Sequence, residues 1–274
     1  MAMAGSAGDR QLSFDNVPEI YDRARPSYPD AVFDEIFAYL QQSSPVLRPA
    51  VVEIGPGTGQ ATKPLLDRGA NVTAIEPGPQ LAEFIRKKFR NANTGQLEVI
   101  NVSFEDSSLS PGTYDLVVVA TAFHWLDPNI RVEKCRSLLR AGGAIAIIGT
   151  NQVRSATDRG YFDRVFPIYR QYRPNERRTE LPGADVVPAE HEEIEASGLF
   201  EAVTLRRYPW DQTYSTAAYA DLVRSYSDTQ MMEPAARESL IADLCRVIDS
   251  EYHGTVVRPL VVTLTLGRRP AGRA

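Results

Sequence analysis

The sequence predicts a doubly wound α/β protein, with a mostly parallel sheet of seven strands, an antiparallel last strand and helices on both faces. Three observations carry that prediction. From Ala50 to Thr150, short apolar runs alternate with helical segments. The first run leads directly into a glycine-rich turn, VVEIGPGTGQ at 51–60. The chain closes on Thr255–Gly267, a β-branched alternating run that reads as a late strand. Strands separated by helices imply right-handed crossovers and a parallel sheet covered on both sides.

In chain order, residues 13–40 contain an amphipathic helix, with Val32, Ile36, Phe37 and Leu40 at helical spacing after Pro29-Asp30. Ala50–Ile54 is the first strand, and a helix over Gln60–Arg68 stops at Gly69. Strands follow at Asn71–Ile75, Leu97–Val102, Tyr114–Ala120 and Ala144–Thr150, with helices over Pro79–Asn91 and Asn129–Ala141 between them. The rhythm breaks after Asn151. Residues 152–200 read as a helical insertion, with Phe162, Val165, Phe166 and Tyr169 on one face and a second helix over Pro188–Ser197. A strand at Ala202–Tyr208, helices at Thr216–Ser225 and Glu233–Ser250, and the closing strand complete the same domain through residues 201–274. Residues 1–12 read as a flexible tail ahead of a core spanning 13–151.

Composition bounds the function. The 274 residues are 43% hydrophobic and 24% charged, as in an ordinary globular protein. No apolar run approaches the roughly 18–20 residues that span a bilayer, so a membrane partner is not expected. The opening MAMAGSAGDR lacks the apolar stretch of a secretory leader, and Cys135 and Cys245 lack paired spacing. A cytoplasmic protein with reduced thiols is expected. Net charge is −5, and the densest basic stretch, Arg86, Lys87, Lys88 and Arg90, reads as a solvated helix face. Without a basic stripe, a nucleic-acid partner is not expected. The three histidines are scattered, so no metal site is suggested.

The glycine turn indicates an adenosine cofactor. Gly55, Gly57 and Gly59 follow a buried strand and precede a helix, allowing a tight turn and close ligand approach. Glu76 ends the second strand, where an acid accepts hydrogen bonds from ribose hydroxyls. A dinucleotide fingerprint requires glycine where Gln60 stands, and the loop has no phosphate-binding lysine.

The run E-x-G-x-G-x-G, beginning at Glu53, resembles motif I of class I S-adenosylmethionine-dependent methyltransferases, which have a Rossmann-like fold. The resemblance extends to YDRARPSYP (21–29), similar to the lead-in of the methyltransferase type 11 group with its trans-aconitate methyltransferase-like members. It implies S-adenosyl-L-methionine as cofactor and S-adenosyl-L-homocysteine as product. Glu76 with Pro77 would take the ribose, and Ser103 and Phe104 in VSFEDSSL would flank the adenine. Ala120, Thr121 and Ala122 would line the methionine end, while Tyr21, Arg25 and Tyr28 would close over the cofactor. The resemblance covers residues 14–151.

Methyl transfer from a sulfonium needs mainly alignment and exclusion of water, with a base only where the acceptor loses a proton. His124 follows the fourth strand and reads either as that base or, with Trp125, as a structural cap shaping the pocket. His191 and His253 read as surface residues. The helix carrying Phe162, Phe166 and Tyr169 is either a lid walling a substrate pocket with Trp125 or a core stripe. The expected activity is methylation of a small molecule by a monomer or homodimer. A protein or RNA methyltransferase and a non-catalytic adenosylmethionine binder are the alternatives. The fourth strand exits as ATAFHW, without the D/N-P-P-Y/F motif of amino-methylating enzymes.

Overall fold

A computed structural model describes residues 18–42, 46–92, 94–174 and 180–271. The expected tail at 1–12 and residues 13–17 lie outside the described residues, as does the side chain of Tyr21. The chain divides into two compact units, each built from three stretches. One comprises Ser27–Thr150, Val187–Tyr208 and Val262–Ala274, and is called here the glycine-turn unit. The other comprises Met1–Pro26, Asn151–Val186 and Pro209–Val261, and is called the tyrosine unit.

The strands are β1 (Ala50–Ile54), β2 (Asn71–Ile75), β3 (Gln96–Ile100), β4 (Tyr114–Ala120), β5 (Leu139–Gln152), β6 (Glu201–Ser215) and β7 (Thr255–Arg268). They form one sheet in the order β3-β2-β1-β4-β5-β7-β6, with β7 antiparallel, as the alternation of strands and helices predicts. β1 pairs in parallel with β2 and β4, in registers that include Ile54↔Ile75 and Ile54↔Val119. The strand order therefore reverses between β1 and β4. In an open α/β sheet, ligands bind beyond the carboxyl ends of the strands at such a reversal.

The helices of the glycine-turn unit are α2 (Asp30–Gln41), α3 (Thr62–Asp67), α4 (Pro79–Lys88), α5 (Arg131–Leu138) and α7 (Ala189–Ala196). α2 buries Val32, Phe33, Ile36, Tyr39 and Leu40, the spacing of a single helical face. β1 and β4 are buried on both faces because helices cover both sides of the sheet. The tyrosine unit holds α1 (Pro18–Ala24), α6 (Tyr161–Tyr172), α8 (Thr216–Arg224), α9 (Ser227–Gln230) and α10 (Pro234–Glu251). Its core packs Tyr161, Val165, Tyr214, Tyr219, Leu222, Leu240 and Leu244 together. Among the described residues, no helix is long and apolar enough to cross a membrane.

Two expectations change. Residues 139–141, expected at the end of a helix, begin β5 instead, with Tyr114 opposite Leu139. The cause is Gly142-Gly143, which follows within four residues. Gly142 has φ +76°, and its amide and the carbonyl of Gly143 pair with Arg269, taking this stretch into a ladder. On α6 the buried residues are Tyr161 and Val165, whereas Phe162, Phe166 and Tyr169 are half-buried. The aromatic stripe is therefore rotated from the face that the sequence suggests.

Candidate active site

The site is assembled at the carboxyl ends of β1, β2 and β4. Past Ile54 the chain enters Gly55 at φ +65°, and a Cβ there would stand 2.8 Å from the Cβ of Ala122. At Gly59, with φ +90°, a Cβ would lie 2.4 Å from the Phe89 ring. Glycine is thus required twice, once against the exit of β4 and once against the end of α4. Lys88 fastens the turn further, donating to the Thr58 carbonyl at 3.0 Å. That lysine sits in the basic run expected to be only solvated.

Glu76 ends β2 and is 5% exposed. Its Oε2 accepts from the Gly57 amide at 3.2 Å and its Oε1 from the Gly78 amide at 2.9 Å. The sequence-predicted acid therefore faces the sequence-predicted glycine turn. Asn101, just beyond β3, donates to the carbonyls of Glu76 at 2.8 Å and Pro77 at 3.0 Å, fixing the loop that carries the acid. Asn101 was not legible as functional because its role lies in two backbone contacts.

Glu53, on β1, is 1% exposed. Thr62 donates to its Oε2 at 2.7 Å, while Oε1 has no hydrogen-bond partner among the described residues. Burial raises its pKa to about 7; the Thr62 hydrogen bond opposes this rise and the charge of Glu76 adds to it. A buried, half-satisfied carboxylate is costly, and a donor arriving at Oε1 would relieve that cost.

β4 exits through Ala120, Thr121 and Ala122. Thr121 adopts φ +51°, uncommon for a β-branched residue, while its amide donates to the Ile148 carbonyl at 2.7 Å. Its Oγ1 lies 3.1 Å from the Tyr28 hydroxyl, which brings the lead-in tyrosine to this strand end. The turn Phe123–Trp125 follows, with Phe123 buried, His124 exposed and Trp125 half-buried. Arg131 holds that turn. It donates to the Phe123 carbonyl at 3.0 Å, stacks 4.4 Å from the Phe123 ring centroid and forms a two-pronged ion pair with Glu193. Partial desolvation lowers the His124 pKa; Glu190 opposes that shift and Arg131 reinforces it. The imidazole is therefore neutral at pH 7.

Other predicted residues occupy different settings. Ser103 binds Asp106, donating to Oδ2 at 2.7 Å and accepting from its amide at 3.1 Å. Phe104 is 3% exposed within the apolar core, and Lys134 clamps the following loop through the carbonyls of Glu105 and Ser107. Arg25 belongs to the tyrosine unit, where it donates to the Ser225 carbonyl at 3.3 Å. Phe162, Phe166 and Tyr169 belong to that unit as well, and Trp125 to the glycine-turn unit. His191 approaches Thr265 at 3.4 Å, and His253 is exposed in a turn.

The methyltransferase domain family, type 11, matches residues 52–147, the stretch that contains the glycine turn, Glu76 and the β4 exit. The match is to that stretch and not to the rest of the chain. An uncharacterized methyltransferase of Mycobacterium tuberculosis (strain H37Rv) is 32% identical over 146 residues, which cover 53% of this chain and 55% of that protein. The chain thus spans about half the length of that curated relative. The cyclopropane synthase MmaA2 of M. tuberculosis superimposes with a TM-score of 0.52 at 14% identity, covering 97% of this chain and 100% of that one. Haemonchus contortus phosphoethanolamine N-methyltransferase 2, solved with phosphomonomethylethanolamine and S-adenosylhomocysteine, gives a TM-score of 0.51 at 12% identity, covering 98% of this chain and 61% of that one. At such identities these two share the fold of this chain.

Proposed function

We propose that this protein moves a methyl group from S-adenosylmethionine to a small-molecule acceptor by in-line displacement. The observation that carries the reading is the buried carboxylate of Glu76 facing the Gly57 amide at the point where the strand order reverses. The residues suit an adenosyl ligand. Glu76 takes the ribose hydroxyls, the glycine turn admits the ligand against the backbone, and the unpartnered Oε1 of Glu53 awaits a donor. Tyr28 and Thr121 stand at the exit of β4, where the methionine end is held. The cofactor, when bound, supplies a methyl group already activated by its sulfonium.

This chain's residues then align the acceptor and exclude water. His124, neutral at pH 7, accepts the acceptor's proton where there is one to lose. The acidic balance of the chain, with a net charge of −5, supports a small acceptor over nucleic acid.

Label-bearing S-adenosylmethionine added to a cell extract tests the proposal, with Glu76→Ala as control. Label recovered in the small-molecule fraction and lost in the variant is the expected result. Label in protein or RNA would replace the acceptor class. An unchanged affinity of Glu76→Ala for S-adenosylmethionine by calorimetry would remove the ribose assignment, because losing its charge-assisted hydrogen bonds costs roughly tenfold or more.

A further inference from the structure

Arg258, near the start of β7, is a half-buried cation among tyrosines. Its Nε donates to Oε1 of Gln152 at 3.0 Å, and its Nη1 to the Tyr226 hydroxyl. Its guanidinium carbon lies 5.6 Å from the centroid of the Tyr226 ring, and that of Arg25 lies 4.8 Å from the same centroid. Among the described residues, no carboxylate forms an ion pair with Arg258. Tyr214, 4% exposed at the end of β6, has a hydroxyl with no hydrogen-bond partner among the described residues. Burial pushes the Tyr214 phenol up to about 12, and the charge of Arg258 is the largest influence opposing that rise. β6 and β7 are neighbouring strands, and the Thr216 amide donates to the Gly254 carbonyl at 3.1 Å, so the end of β6 that carries Tyr214 lies beside the start of β7 that carries Arg258.

Each feature by itself is unfavourable. A desolvated guanidinium without an anion loses hydration that tyrosine hydroxyls replace only in part, and a buried hydroxyl left unpaired forgoes the hydrogen bonds that water would give it. One oxyanion arriving here would satisfy both. The residues also stand where a ligand is expected: Gln152 and Tyr214 lie at the carboxyl ends of β5 and β6, and Arg258 near the start of the antiparallel β7.

We propose that the tyrosine unit carries an oxyanion-binding site in which Arg258 and Tyr214, flanked by Tyr226, receive the carboxylate of a small molecule, the class to which the methyl acceptor belongs. That the methyl acceptor is such a carboxylate rests on the proposed function; the binding of a carboxylate at Arg258 does not. A planar guanidinium fork matches a carboxylate better than a point charge does, which explains arginine at this position.

Binding is measured by calorimetry without cofactor, using benzoate, its uncharged counterpart benzamide and phenyl phosphate as probes. Arg258→Gln, Arg258→Lys and Tyr214→Phe are compared with the wild-type chain. Saturable benzoate binding is expected in the wild type, weakened about tenfold or more in Arg258→Gln and several-fold in Tyr214→Phe. Arg258→Lys is expected to recover part of that loss, and benzamide to bind far more weakly than benzoate. Should Arg258→Gln fail to fold by circular dichroism, the other two variants carry the comparison.

Equal affinity for benzoate and benzamide, no saturation in the wild type, or variants indistinguishable from it would overturn the site. Preference for phenyl phosphate would overturn the carboxylate and leave a phosphate in its place. Failure of S-adenosylmethionine to bind, with benzoate binding intact, would sink the proposed function and leave the site standing.

Discussion

Glu53 shows what burial does to a single carboxylate. Its pKa in the folded chain, about 7, lies above the ordinary value, so between about 4.5 and 7 the folded state holds a proton that the unfolded state has released. The corresponding stability is complete below the unfolded pKa and is lost as pH rises through 7. The cofactor-free wild-type protein is therefore expected to melt at a lower temperature at pH 8 than at pH 6, and Glu53→Gln to narrow that difference in a thermal scan. An equal pH dependence in both proteins would mean that Glu53 is already ionised at pH 6. His124 shifts in the opposite sense. Because its pKa is lowered, the acid limb of its rate profile should fall below the usual histidine value of about 6.5. His124→Ala should lose turnover while retaining cofactor affinity; full turnover at every pH would reduce the residue to packing.

At the scale of elements, the junction of β1 with the glycine turn is where sequence and geometry agree most closely. Gly55→Ala would place a side chain at φ +65° and 2.8 Å from the Cβ of Ala122. A loss of about 1–3 kcal/mol is expected in denaturant unfolding, together with weaker cofactor binding. Wild-type values would mean that β4's exit can shift aside. This junction was legible because its requirements are local: a strand, a forced left-handed turn and an acid at the end of the next strand. The supports of the turn were not. Lys88, Asn101 and Arg131 act by reaching backbone carbonyls distant in sequence, and nothing in the spacing of a lysine or an asparagine announces that. The β5 boundary was misread for a related reason, since Leu139 is a strand residue only because Tyr114 lies opposite it. Likewise the α6 stripe followed helical periodicity, whereas burial was decided by the neighbouring Tyr219 and Tyr252, which meet Tyr161 edge-on.

For the whole molecule, the matched family stretch is not a self-sufficient fold. It ends at residue 147, yet β5 takes its outer neighbour, β7, from the far end of the chain. Without β7, the buried run Ala144–Ile148 would present an unpaired apolar edge. Arg268 secures that late strand, donating to the carbonyls of Gly142 at 3.0 Å and Tyr39 at 2.7 Å. A chain stopped after Thr150 is expected to aggregate or to lack a cooperative melting transition. A sharp, reversible transition in that fragment would show that the edge is tolerated.

The two amides held by Glu76 have a bearing on cofactor binding. Each carboxylate oxygen accepts two hydrogen bonds, so Glu76 can keep the Gly57 and Gly78 amides and still receive two ribose hydroxyls. The backbone thus aims the carboxylate in advance, and under the proposed function no ordering cost is left for the ligand to meet. Methyl donor and demethylated product share the same ribose, so this aiming serves both and leaves the preference between them to the sulfur end.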